Sequence, residues 1–292
     1  MKRGNMKRVI AWCGLFCVLI AGRFSLAQTT QPAADENLGQ GKVVGLDYFF
    51  NHQIKAGAQF HYIWEDKKNS GFSKFGDVFK QYGASLAKLE EAPTRADLDK
   101  FSIYIIVNPT PVKTAPDGKP NYIQQADADT IAAWVNDGGV LALFANDNKT
   151  CELTHFNILA QKFGVTFDDD LRNEVPPKPT PEQMMAGTFS NLPDHPIFDG
   201  VKMIYLKEIC TLQVSEPAKV LLTAPKENGA PGTDNIMATC QYGKGLVFVV
   251  GDPWVYNEYI NVKAPTLSFG NHKAAENLAR WLLAAASPPK AG

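Results

Sequence analysis

The stretch GGVLALFAND, residues 138–147, is the one whose reading decides the fold. Val140 to Ala145 is a continuous apolar run of strand length. It lacks the polar alternation of a half-buried strand, so it reads as a strand covered on both faces. Gly138 and Gly139 close a helical segment, Ala126 to Asn136, in which Ile131, Trp134 and Val135 share one side. A helix handed through glycines into a buried strand is half of a βαβ unit. The polar triplet Asn146-Asp147-Asn148 follows at once.

The same grammar recurs outward from this point. Lys42–Leu46 runs into Asp47, Ile103–Val107 into Asn108-Pro109, and LVFVV (246–250) into GDPWVYNEYI (251–260). Helices are predicted where Phe72, Phe75, Phe79 and Tyr82 recur, over Leu153–Phe163 before Gly164, and over His272–Leu283. Ala84–Leu86 reads as a short strand. After the Pro-rich loop 176–182 the pattern turns β-rich: TFSNL, MIYLKEICTLQV, KVLLTA and IMATCQY, with a hairpin turn at Tyr242–Gly245 leading into LVFVV. The expectation is an α/β fold: a doubly wound, mostly parallel sheet with helices on both faces and a β-rich second half. Such sheets bind ligands beyond the carboxyl ends of their strands. Asp47, Asn108, Asn146, Asp147 and Asp252 are therefore expected on one edge.

The ends of the chain read differently. Lys2, Arg3, Lys7 and Arg8 precede the apolar run Val9–Ala21, and Ser25-Leu26-Ala27 matches a cleavage site. Residues 1–27 are predicted to be a secretory signal, 28–41 a disordered lead-in, 42–285 the domain and 286–292 a tail. The expected location is secreted or periplasmic, with no membrane contact after cleavage. The remaining chain carries 24 basic and 30 acidic residues, a net charge of −6, which argues against nucleic acid and anionic membranes as partners. Cys151, Cys210 and Cys240 remain, without metal spacing. His52, His61, His155, His195 and His272 are dispersed. No metal and no cofactor is expected. His195-Pro196 reads as a structural turn.

Taken together, HYIWEDKKNSGFSKFG (61–76), YIIVNP, WVNDGGVLALFAND, HPIFDGV, YLKEICTL, GKGLVFVVGDPWVYNEYI and NHKAAENLARWLL carry a resemblance. The chain resembles the domain found attached to, or beside, secreted unsaturated rhamnogalacturonyl hydrolases of pectin degradation, over roughly residues 43–284. The resemblance implies a class I glutamine amidotransferase-like, flavodoxin-like fold. Those amidotransferases place a Cys nucleophile at the elbow after the buried strand, in a pattern like GGVLAGICAG. Here that position falls on Ala145, which has no nucleophilic atom, so glutamine amidotransferase activity is not expected. No helical-hairpin barrel is present to carry the hydrolase's own aspartate.

The resemblance points to pectin-derived acidic oligosaccharide as ligand, or to a secreted carbohydrate-active enzyme as partner. Sugars are met by aromatic faces beside planar carboxylates and amides. The candidate binding residues are His61, Tyr62, Trp64, Glu65, Asp66, Asn69, Asn146, Asp147, Lys207, Asp252, Trp254, Tyr256, Asn257 and Glu258, with Tyr259 as a further ring and Arg172 and Lys67 as further cations. Two alternatives stay open. One is a glycoside hydrolase using paired carboxylates, with Asp252, Glu258, Asp47 and Asp66 as catalytic candidates. The other is a purely structural interaction module.

Overall fold

In the computed structural model, the structure describes Met1 and residues 37–290, without residues 69, 177, 258 and 263–266. The rest of the predicted signal segment, and the lead-in as far as residue 36, lie outside the described residues. So do the site candidates Asn69 and Glu258. Residues 37–41 were expected to be disordered. They form turns instead, tied down where the Gly39 amide donates to the Tyr82 carbonyl at 2.7 Å.

The elements follow in chain order: β1 (Val43–Asp47), the small hairpin β2 (Ile54–Lys55) and β3 (Ala58–Gln59), α1 (Ser73–Gln81), β4 (Ser85–Leu89), α2 (Arg95–Leu98), β5 (Ile103–Val107), α3 (Gln125–Asn136), β6 (Val140–Phe144), α4 (Leu153–Ala160) and β7 (Val165–Phe167). The second half has α5 (Pro181–Met185), β8 (Thr188–Phe189), β9 (Ile204–Tyr205), β10 (Leu212–Val214), β11 (Ala218–Pro225), β12 (Thr233–Tyr242), β13 (Gly245–Val250) and α6 (Asn271–Ala285).

One sheet of nine strands runs β4-β1-β5-β6-β13-β12-β10-β7, with β11 also paired to β12. β4, β1, β5, β6 and β13 are mutually parallel; β12, β10, β7 and β11 join by antiparallel pairs. The sheet is thus mixed, an α/β half extended by an antiparallel half. Alternate residues of β5, β6 and β13 divide between two cores. Ile105, Ala142, Phe144 and Phe248 pack with Phe75 and Phe79 of α1 and Leu278 and Leu282 of α6. Tyr104, Leu141, Leu143 and Val247 pack with Ile131 and Val135 of α3 and Phe156 of α4. Each strand is covered on both faces, which is why these runs are apolar throughout.

The β-rich half departs from expectation in detail. MIYLKEICTLQV is two strands, not one, because Glu208 takes a left-handed φ of 55° between β9 and β10. The Lys207 amide is there turned onto the Asp252 carboxylate. The hairpin at Tyr242–Gly245 forms as predicted, with Gly243 at φ 58°. Among the described residues no helix is long and apolar enough to cross a membrane.

Candidate functional site

Because β1, β5, β6 and β13 are parallel, their carboxyl ends lie on one edge, and Asp47, Asn108, Asn146, Asp147 and Asp252 gather there. The elbow is central. Ala145 continues β6, its amide bonded to the Val250 carbonyl at 2.9 Å, and it is fully buried. Its methyl packs into the core on the α3–α4 face. The nearest cysteine in sequence, Cys151, follows a turn closed by its amide on the Asp147 carbonyl, and burial pushes its thiol well above the usual range. Burial likewise raises Cys210, and takes Cys240 up to about 11. All three thiols are free. They are expected to resist Ellman's reagent in the native protein at pH 8 and to react once denatured. Labelling of Cys151 before unfolding would refute this.

The two loops singled out in the sequence do meet over the end of β6. Tyr62 reaches it from one side, its hydroxyl accepting from Asn146 Nδ2 at 2.9 Å. Asp252 follows β13 on the other side, close enough that its charge helps raise the Tyr62 pKa after burial has done so. Phe75 and Tyr256, 5.5 Å apart, pack beneath.

The carboxylates, however, are tied to the backbone. Asp47 is fully buried; it accepts from the amides of Phe49, Phe50 and Asn51 (3.3, 3.0 and 2.9 Å) and from the Tyr104 hydroxyl at 3.0 Å. Burial nevertheless holds its pKa up at about 6. Asp252 accepts the amides of Lys207 and Trp254, both at 3.0 Å, and burial keeps its pKa well above the usual carboxylate range. Asp66 closes its own loop on the amides of His61 (3.1 Å) and Lys68 (2.9 Å). Asp147 accepts from the Lys149 amide (2.8 Å) and the Thr150 hydroxyl (2.7 Å). These bonds make the carboxylates caps of strand-end turns.

The rings also sort themselves. Tyr256 is core, fully buried against Phe144 and Phe248, so it is no sugar platform. Asn257 is buried and closes a turn on the Tyr259 amide. Trp64 turns away from the edge: its Nε1 donates to the Ala87 carbonyl of β4 at 2.8 Å, and Glu65 accepts from Tyr48 beside it. Neither belongs with 251–259. Trp254 is stacked on Tyr259 (3.9 Å, 4°), and the Lys207 ammonium sits 4.6 Å over its ring. A parallel ring fills one face, so the ammonium takes the other, and Trp254 has no face left for a sugar. Half-exposed Tyr259 has one face used, and among the described residues no ring stacks on its other. Lys207 also pairs with Glu208 at 3.0 Å. Arg172 lies in the antiparallel half, bonded to Asp234 at 2.8 Å.

Two further features mark this edge, and composition could not reveal either. His61, Tyr62, Asn108 and Glu208 hold left-handed backbone at φ 60°, 49°, 45° and 55° without being glycine. Tyr205 Oη, Trp254 Nε1, Tyr256 Oη, Asn51 Oδ1 and Asn108 Oδ1 are buried with no hydrogen-bond partner. Burial, then the charges of Asp252 and Glu208, push the Tyr205 hydroxyl up to about 12.

No family model matches the chain, and no curated protein matches it. Solved structures do. The chain is similar to the mmIFT52 N-terminal domain, at 15% identity and a TM-score of 0.59, over 82% of this chain and 97% of that one. It is also similar to two cytoplasmic proteins of Salmonella typhimurium. The one from strain LT2 matches at 15% identity and 0.52, over 84% and 100% of the two chains. The other matches at 16% and 0.51, over 82% and 98%. At these identities the likeness establishes a shared α/β fold alone.

Proposed function

We propose that this chain is a secreted, doubly wound, amidotransferase-like module that binds a ligand at the strand-end edge and does not transform it. The ligand is a pectin-derived acidic oligosaccharide. One observation supports the site above the rest: among the described residues, His61, Tyr62, Asn108 and Glu208, four of the seven non-glycine residues at positive φ, and five of the eight unpaired buried polar atoms lie at this edge. Strain of this kind costs of order 1–3 kcal/mol per residue and tends to persist where function requires it. Ala145 at the elbow and carboxylates tied to backbone amides favour binding over catalysis. The ligand class comes from the sequence resemblance. Tyr259 offers the platform, and an acidic group would compete with Glu208 for Lys207.

Calorimetry of the full chain against unsaturated rhamnogalacturonan disaccharide and plain galacturonides tests the reading. Heat of binding is expected, weakened about tenfold (~1.4 kcal/mol) by Tyr259→Ala. No heat with any of them would remove the binding reading and leave the structural module. Loss of the unsaturated uronide chromophore during incubation would instead establish hydrolysis.

A further inference from the structure

We infer that the flank of α6 carries a second ligand site, one that takes a neutral pyranose ring. A cavity of about 740 Å³ opens between the C-terminal half of α6, the 3-10 turn Pro196–Phe198 and Leu38. That volume lies within the roughly 300–1,000 Å³ typical of small-molecule sites. The cavity is remote from the strand-end edge. Lys42, at the start of β1, bonds the Leu283 carbonyl near the end of α6 at 2.7 Å, which puts this end of the helix by the opposite edge of the sheet.

Its lining offers an indole face and polar groups of its own. Trp281 is half-buried and meets His195 (5.3 Å, 67°) and Phe248 (6.5 Å, 73°) at steep angles. Among the described residues no ring lies parallel on it, unlike Trp254. His195 Nδ1 accepts the Ile197 amide at 3.3 Å, so the neutral ring carries its proton on Nε2 as a donor. Burial lowers its pKa and favours that neutral form. Asn277 is 2% exposed; its Nδ2 serves the carbonyls of Ile197 (3.2 Å) and Asp199 (2.8 Å), while Oδ1 has no partner. An indole face beside the His195 Nε2 donor and the exposed carboxylates of Asp194 and Asp199 suits a ring with one apolar side and several hydroxyls. Charge selects the class. The lining carries two carboxylates, Asp194 and Asp199, and one guanidinium, Arg280. A uronate or phosphate would meet net repulsion there, whereas a hydroxyl can donate to the carboxylates.

This site stands whether or not the strand-end reading does, and one set of titrations separates them. The probes are L-rhamnose, methyl galactopyranoside and galacturonate, followed by saturation-transfer NMR and tryptophan fluorescence. The blocking variant is Ala284→Trp, at an exposed position on the lining; Asp194→Ala, also exposed, is the second. The expected result is neutral-sugar binding weakened at least about tenfold by Ala284→Trp and by a smaller factor by Asp194→Ala, unchanged in Tyr259→Ala, with galacturonate about tenfold weaker than the neutral sugars. Neutral-sugar binding that is absent, that survives in a folded Ala284→Trp, or that galacturonate equals at this site would overturn the inference. Acidic oligosaccharide binding lost in Tyr259→Ala would still uphold the strand-end site.

Discussion

Asp47→Ala is expected to destabilise the protein by about 3–5 kcal/mol, because it strips four donors, three of them in buried bonds, of their acceptor at once. Three of those donors are amides of the turn that leads from β1 towards the 61–70 loop. The fourth, Tyr104 Oη, lies inside the second core. Urea denaturation of the variant at pH 7 measures the loss; a change below about 1 kcal/mol would show that the turn does not depend on the carboxylate. The same residue sets a pH dependence. Its folded pKa of about 6 is raised above its unfolded value. The folded state therefore binds the proton more tightly, and the associated stability is full below about pH 4 and is lost as pH rises through about 6. From this group alone the protein should be about 1 kcal/mol more stable at pH 5 than at pH 7. Asp252, also raised by burial, contributes with the same sign. In Asp47→Asn the difference between the two pH values should shrink by that amount, and an unchanged difference would assign the titration elsewhere.

Gly251→Ala should be comparably severe. A Cβ on Gly251 would lie 1.9 Å from the Cys210 carbonyl oxygen and 2.9 Å from Ile209 Cγ2. The first is backbone and cannot swing aside. The Cys210 amide donates to the Gly251 carbonyl at 3.1 Å, and the Gly251 amide to Ile236 at 3.1 Å, so the clash would break the seam where β13 passes under the 208–211 segment. A loss of about 3–5 kcal/mol is expected, read as a fall in melting temperature and in urea midpoint. Asp252 follows directly, so the loop it caps should loosen too. A variant melting within a few degrees of the parent would mean that the two segments can separate freely. The glycine of GDPWVYNEYI is thus required by close approach, not by an unusual φ.

The strands that build the parallel half were legible because each is buried on both faces. Such burial leaves no polar residue inside the run, and polarity returns only where the strand emerges. Val140–Phe144, Ile103–Val107 and Val247–Val250 announce themselves in this way, and so does the edge on which Asp47, Asn146 and Asp252 gather. Glu208 interrupts MIYLKEICTLQV through its backbone conformation, which leaves no mark on apolar periodicity. β2 and β3 are too short and too polar to be seen. Trp64 and Trp254 look alike as exposed rings in sequence; one is tied to β4 and the other is sandwiched between Tyr259 and Lys207. His195-Pro196 read as a turn, which it is, but that reading gave no hint of the cavity that Trp281 and Asn277 form beside it.

The sequence alone determined that the chain folds as α/β, where its strand-end edge lies, and that Ala145, with no nucleophilic atom, ends the central apolar run. These follow from burial and covalent identity, which are local. Tertiary structure alone decided which polar groups at that edge are already bound. Which carboxylates already accept backbone amides depends on groups distant in the chain, and the amides on Asp252 include one from Lys207, 45 residues away.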